Sequence, residues 1–145
     1  MFKHLLLPTD GSLASEIAIH FAMPFAKEIN ARVTGVYVIP EYHVIADQFA
    51  MAACTKEQFD IESTALTLEF LAVIEREARQ AGVICDTEYV VSAHPHEAII
   101  KLAADKECDL IVMASHGRTG VRALMLGSET QKVLTHSRIP VLVLR

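Results

Sequence analysis

The fold class this 145-residue sequence predicts is α/β: a doubly wound, five-stranded parallel sheet with two helices on each face. Three observations lead there. Short runs that are apolar on both faces recur along the chain, as strands covered from both sides must be. Between them lie longer stretches with apolar residues at helical spacing. The two kinds alternate as βαβαβαβαβ, which right-handed crossovers wind into a parallel sheet. The expected strand order is 3-2-1-4-5, the flavodoxin-like or Rossmann-like arrangement, with ligands bound beyond the C-terminal strand ends. The length suits one domain over residues 1–145, and no linker divides it.

The elements follow in order. Lys3 to Thr9 is a short apolar run ending in Pro-Thr-Asp-Gly-Ser, a strand followed by turn residues. From Leu13 a helix is expected, with Leu13, Ile17, Phe21, Phe25 and Ile29 as its apolar face and Ala18, Ala22 and Ala26 beside them. Pro24 lies within it and predicts a kink, because it removes the bond to the carbonyl of His20. Arg32 to Ile39 is a valine-rich strand stopped by Pro40. Residues 41–55 have no clean period and read either as a loop or as the first turns of the next helix. From Lys56 a long helix buries Phe59, Ser63, Leu66, Phe70, Ile74 and Ala78 and stops at Gly82. Val83 to Val91 is the third strand, Pro95 to Asp105 a shorter helix, and Leu110 to Met113 the fourth strand. A glycine-punctuated loop leads to a helix over Ser128–His136 and a last strand, Ile139–Leu144. That strand is apolar on both faces, so at a sheet edge it needs cover. Pairing with the same strand of a second copy supplies it, and a homodimer is expected.

Composition narrows the function. The chain is 52% hydrophobic and 21% charged, which describes a protein with a large core. Net charge is −5, which argues against a nucleic-acid binder, since phosphate backbones call for a surplus of Lys and Arg. Beyond Ala114, however, Arg118, Arg122, Lys132, Arg138 and Arg145 face only Glu129, a local balance suited to a small anion. Leu5-Leu6-Leu7 before Pro8 is too short for a signal peptide or a membrane span. Cys54, Cys85 and Cys108 are widely spaced and form no CxxC pair, as free thiols in a reducing compartment do. A cytoplasmic protein is expected.

The chemistry is concentrated between Met113 and Thr130. A buried strand ends, the chain passes through Gly117 and Gly120, and a helix opens at Gly127-Ser128. Phosphates are held by closely approaching backbone amides, which glycine permits, and by the positive end of a helix dipole. There is no Lys-Ser/Thr pair for a P-loop and no GxGxxG fingerprint. Ser128 and Gln131 have the spacing of a capping box, so a purely structural role for Ser128 stands beside the anion-binding one. Asp10, in Asp-Gly-Ser, has the place of a turn residue capping the first helix.

With Asp10 after the first strand, Gly117, nine residues, Gly127-Ser128, and a Pro140-Val141-Leu142-Val143 ending, the sequence resembles the universal stress protein family. The resemblance runs from Leu5 to Val143. Nucleotide-binding members have Gly, two residues, Gly, nine residues, then Gly-Ser or Gly-Thr. Here the second and third glycines are present, and Ala114 replaces the first. The resemblance implies ATP as ligand, with any Mg²⁺ or Mn²⁺ carried on the phosphates. It would place Asp10 at the ribose or adenine end, with Pro8 and Thr9 shaping the wall and Val38 offering backbone groups to the base. Met113 and Ala114 would line the ribose, and Gly117, Arg118, Gly127, Ser128, Glu129 and Thr130 the triphosphate, several through backbone amides.

The leading function is a nucleotide-dependent regulatory module in which ATP is a ligand. A slow ATP hydrolase needs groups to orient water and stabilise charge; Arg118, His116 and Glu129 are candidates without committed spacing. A dimeric docking protein with an empty cleft is a further alternative. His94-Pro95-His96 lacks the third and fourth ligands a zinc site needs. A phosphorelay receiver would need an aspartate where Val90-Val91-Ser92 stands, and a flavin site a hydroxyl-rich loop where Pro8–Ser12 is short and acidic.

Overall fold

The computed structural model describes residues 1–49, 55–117 and 125–145. At its centre is a parallel sheet of β1 (His4–Thr9), β2 (Arg32–Ile39), β3 (Cys85–Val91), β4 (Leu110–Ala114) and β5 (Val141–Leu144). The strand order is β3-β2-β1-β4-β5, as the alternation of elements predicts. Leu5 pairs with Val33, Leu6 with Ile111, and Ile111 with Val141. Alternation along each strand divides the core. Leu5, Leu7, Val33, Leu110 and Val112 face one layer, while Leu6, Val36, Ile111 and Met113 face the other. The first layer is covered by α1 (Leu13–Glu28) and α3 (Lys56–Ala81), the second by α4 (Pro95–Asp105) and α5 (Ser128–His136).

Two helices bury a face other than the expected one. On α1 the buried residues are Ser15, Ala18, Ile19, Ala22, Met23 and Ala26, whereas Leu13, Ile17 and Phe21 are exposed. Small side chains win because they let the helix axis approach the sheet, with Ile19 and Met23 filling the remaining space. The helix runs through Pro24, inside the span Leu13–Glu28. On α3 the expectation holds for Phe70, Ile74 and Ala78 but fails for Leu66, which is exposed, while Thr67 and Leu71 turn inward. Phe59 packs against Tyr42, ring centroids 5.4 Å apart. Tyr42 opens a further short helix, α2 (Tyr42–Phe49), within the stretch that had no period. The start of α3 is fixed by a capping box between Thr55 and Gln58, and its end by Gly82 at φ 69°. The last strand starts at Val141 and not at Ile139, because the Ser137 hydroxyl ties down the Ile139 N–H in a turn (3.0 Å).

The pole opposite the C-terminal strand ends holds a directed hydrogen-bond chain. The Thr34 hydroxyl donates to Asp86 Oδ1 (2.7 Å) and so accepts from His4 Nε2 (2.7 Å). Lys106 closes the chain against Asp86 and Glu88. His4 is buried, and its Nδ1 faces the Lys106 backbone without forming a hydrogen bond of good geometry.

Candidate functional site

The chain leaves β1 for β2 and β3 on one side and returns through β4 and β5 on the other, so β1 and β4 flank the point where strand order reverses. A cleft of about 480 Å³ opens there, in the size range of small-molecule sites. Its walls come from four separated segments: Pro8–Asp10, Val36–Val38, Pro95 and Ile99 of α4, and the stretch from Met113 to Gly117 with Met125 to Thr130. Pro8, Thr9, Asp10, Val38, Met113, Ala114, Gly117, Gly127, Ser128, Glu129 and Thr130 are thereby brought to one cavity. Arg118, the remaining residue singled out from the sequence, lies outside the described residues. Ser15, Val36, Tyr37, Pro95, Ile99, Met125 and Leu126 also line the cleft and were not among them. Val36 and Ile99 are core positions that happen to reach its floor. Pro95 had a usable signal, since the start of a helix following a C-terminal strand end belongs to the same pole.

On the β1 side Asp10 serves the turn. Its Oδ1 accepts from the Ser12 N–H (2.9 Å), and Ser12 in turn caps α1 through the Ser15 N–H (3.2 Å). Gly11 takes φ 74° beneath the ring of Phe70, where a Cβ would collide. The second carboxylate oxygen of Asp10 lies against Gly117, and a Cβ on Gly117 would overlap it. Gly117 therefore makes room for Asp10.

On the β4 side Ala114 ends the strand in extended conformation with its methyl group buried. The non-glycine residues with positive φ among those described are Asn30 and Glu107, so alanine carries no backbone strain here. Its carbonyl accepts from the Thr130 hydroxyl (2.9 Å), which occupies that hydroxyl's proton. Gly127 donates to the Ser115 carbonyl (2.7 Å), and a Cβ at Gly127 would stand 3.1 Å from His116 Cα. This glycine is needed for close approach of two backbones, its φ being an ordinary −60°.

The capping box expected at Ser128 and Gln131 is not formed. Gly127 is the N-cap and Ser128 the first residue of α5, so the N-cap has no side chain to offer the helix. The first intrahelical bond runs from the Gln131 N–H to the Gly127 carbonyl (3.0 Å), so the amides of Ser128, Glu129 and Thr130 have no intrahelical acceptor. They stand at the positive end of the helix dipole, on the cleft. The carboxylate of Glu129 turns away to α4, accepting from the His96 N–H (2.9 Å) and from Lys132 Nζ (2.8 Å). Burial raises its pKa, but the hydrogen bonds from Lys132 and the His96 backbone, with the charge of Lys132, outweigh that and leave it below the usual carboxylate value.

The cleft combines apolar Val36, Val38, Ile99 and Met113 with the Asp10 carboxylate and with the first amides of α5, which have no intrahelical acceptor. Among the described residues no group of three or more His, Cys, Asp or Glu is placed to hold a metal ion. An open doubly wound sheet with such a cleft at its switch point defines a class of α/β ligand-binding proteins. Residues 1–145 match the family model of the universal stress proteins, and the chain belongs to that family. It is 34% identical to universal stress protein MJ0577 of Methanocaldococcus jannaschii over 156 aligned residues, covering 100% of this chain and 96% of that protein. The solved structure of MJ0577 superposes with a TM-score of 0.84 at 32% identity, covering 99% and 96% of the two chains. A universal stress protein solved in complex with cAMP has a TM-score of 0.67 at 23% identity, covering 99% and 97%. One from Archaeoglobus fulgidus in complex with dAMP has a TM-score of 0.67 at 18% identity, covering 100% and 98%. The last two share the fold.

Proposed function

We propose that this cleft binds ATP and that the chain acts as a nucleotide-dependent regulatory module of the stress response. The observation that carries the proposal is the start of α5, whose first amides have no intrahelical acceptor, opening on a cavity that Val36, Val38, Ile99 and Met113 also line. A nucleotide's phosphates would complete the amides of Ser128, Glu129 and Thr130, and its base would fill the slot between Val38 and Met113. The complexes of two relatives with cAMP and dAMP support an adenine nucleotide as the ligand class. Mg²⁺ or Mn²⁺ would be carried on the phosphates. Pro8, Thr9 and Asp10 would form the sugar-side wall.

The working unit we propose is a homodimer in the cytoplasm. The exposed edge of β5 (Val141–Leu144) has no charged residue, whereas the other edge, β3, carries Asp86 and Glu88 held by Lys106. Uncharged edges call for a partner strand. Cys85 and Cys108 are free thiols, and burial above all pushes each up to about 11, so both are unreactive as a reducing compartment allows.

Thermal unfolding with Mg-ATP, GTP and AMP in parallel tests the ligand. Ligand at 100 times its Kd adds about 2.7 kcal/mol, a rise of roughly 5–10 °C at 2–4 °C per kcal/mol. Gly127→Val should abolish the rise, because its side chain would separate the Ser115–Gly117 and Gly127 backbones. A wild-type melting curve unmoved by any nucleotide overturns the proposal.

A further inference from the structure

Glu129 poses a problem for a site that receives phosphates. Its backbone N–H belongs to the anion-binding turn of α5, yet its side chain carries a negative charge at the same position. The structure resolves this by drawing the carboxylate to the N-terminus of α4, where no side chain of α4's own serves as cap. Oε2 accepts from both the N–H of His96 (2.9 Å) and its ring Nδ1 (3.3 Å), and Oε1 from Lys132. The ring of His96 is only 13% exposed, against 35% for Glu129. Its second nitrogen, Nε2, faces Glu97 at 3.8 Å. Nδ1 is within hydrogen-bond reach of Glu129, whereas 3.8 Å leaves Glu97 as a nearby charge only. The rings of His136 on α5 and His94 lie 5.7 and 6.4 Å away. A positive charge on either ring would oppose one on His96, as that of Lys132 does.

We infer that His96 is a positioning residue for the nucleotide's phosphates: it holds the Glu129 carboxylate off the amides of α5, and nucleotide binding takes up a proton at the His96–Glu129 pair. The inference rests on the cleft being a nucleotide site. A proton on the His96 ring adds to the Lys132 charge in offsetting Glu129 where the anion arrives, so affinity rises as pH falls. The chemistry recognised is the phosphate, whatever base it carries.

The test is calorimetric titration of ATP at pH 8 and pH 6 into wild type, His96→Gln, Glu129→Gln and the double variant, with His116→Gln as control because that ring also lies on the cleft. Ionisation of the ATP phosphates is common to every protein and cancels in the ratios. Wild type should tighten by about two- to fivefold relative to Glu129→Gln on going to pH 6, the size of a partly exposed ion pair. His96→Gln should bind more weakly at both pH values and lose that tightening. Glu129→Gln, which retains an acceptor for the His96 N–H, should bind at pH 8 at least as well as wild type, and in the double variant it should restore what His96→Gln lost. A merely structural tie between α4 and α5 would make Glu129→Gln harmful and leave the double variant no better than His96→Gln. That result overturns the inference, as does a pH response that survives His96→Gln and disappears in His116→Gln. Failure of ATP to bind wild type at either pH would overturn the nucleotide site itself and this inference with it, whereas binding with an unchanged pH ratio would overturn this inference alone.

Discussion

Gly117 and Gly127 stand ten positions apart in one motif yet answer to different neighbours. The first leaves room for a carboxylate oxygen of Asp10, the second for the backbone of Ser115 to Gly117. Neither has the positive φ that usually marks an indispensable glycine. Their spacing was legible in the sequence, but their reasons were not, because each contact crosses from one segment to another. The same holds for Thr130 and Glu129. The sequence placed them at the start of a helix, and only tertiary structure sends the hydroxyl to Ala114 and the carboxylate to α4. His4 couples pH to stability. Burial and the nearby charge of Arg32 lower its pKa from 6.5, against the opposing pull of Asp86, Asp109 and the Lys106 backbone. The unfolded chain therefore binds a proton at this position more readily than the folded one. The stability His4 contributes is present above pH 6.5 and is lost as pH falls from there through the folded value. Urea melts at pH 7.5 and 5.5 should show a larger loss for wild type than for His4→Gln; equal losses would count against burial as the cause.

At the scale of elements, strand positions were the most legible, because runs apolar on both faces have few alternative readings. Of the helix ends, Gly82 was legible as the stop of α3, while the caps that Ser12 and Thr55 supply emerge from the structure. Helix faces were less legible. On α1 a stripe of large residues competes with a stripe of alanines, and periodicity alone cannot tell which one the sheet admits. The short helix α2 has no apolar period over enough turns to be seen, being eight residues long. The capping box of α3 gives an element-level prediction. Thr55→Ala removes the acceptor for the Gln58 N–H (3.2 Å) and should cost about 1 kcal/mol, or about 2–4 °C in melting temperature. Circular dichroism should show the loss of stability with the fold retained. A change smaller than 0.5 °C would mean that α3 is held by packing alone.

For the whole molecule, the two edges of the sheet differ in chemistry, and the proposed dimer follows from that difference. Val143→Lys puts a charge on β5 at a position that pairs with Met113 but does not itself line the cleft. Sedimentation should give a dimer for wild type and a monomer for the variant, both retaining the far-ultraviolet spectrum of the fold. A monomeric wild type would sink the β5 pairing. The order of strands also has a consequence in time. The start of the segment after β4 is fixed by the Ser115 N–H donating to the carbonyl of Leu144 (2.7 Å), and Leu144 ends β5. A ribosome makes β5 last of the five strands, so β1, β2 and β4 can be in place while that segment still lacks its anchor. The proposed site therefore takes its shape only once β5, the last of the five strands in chain order, has joined the sheet.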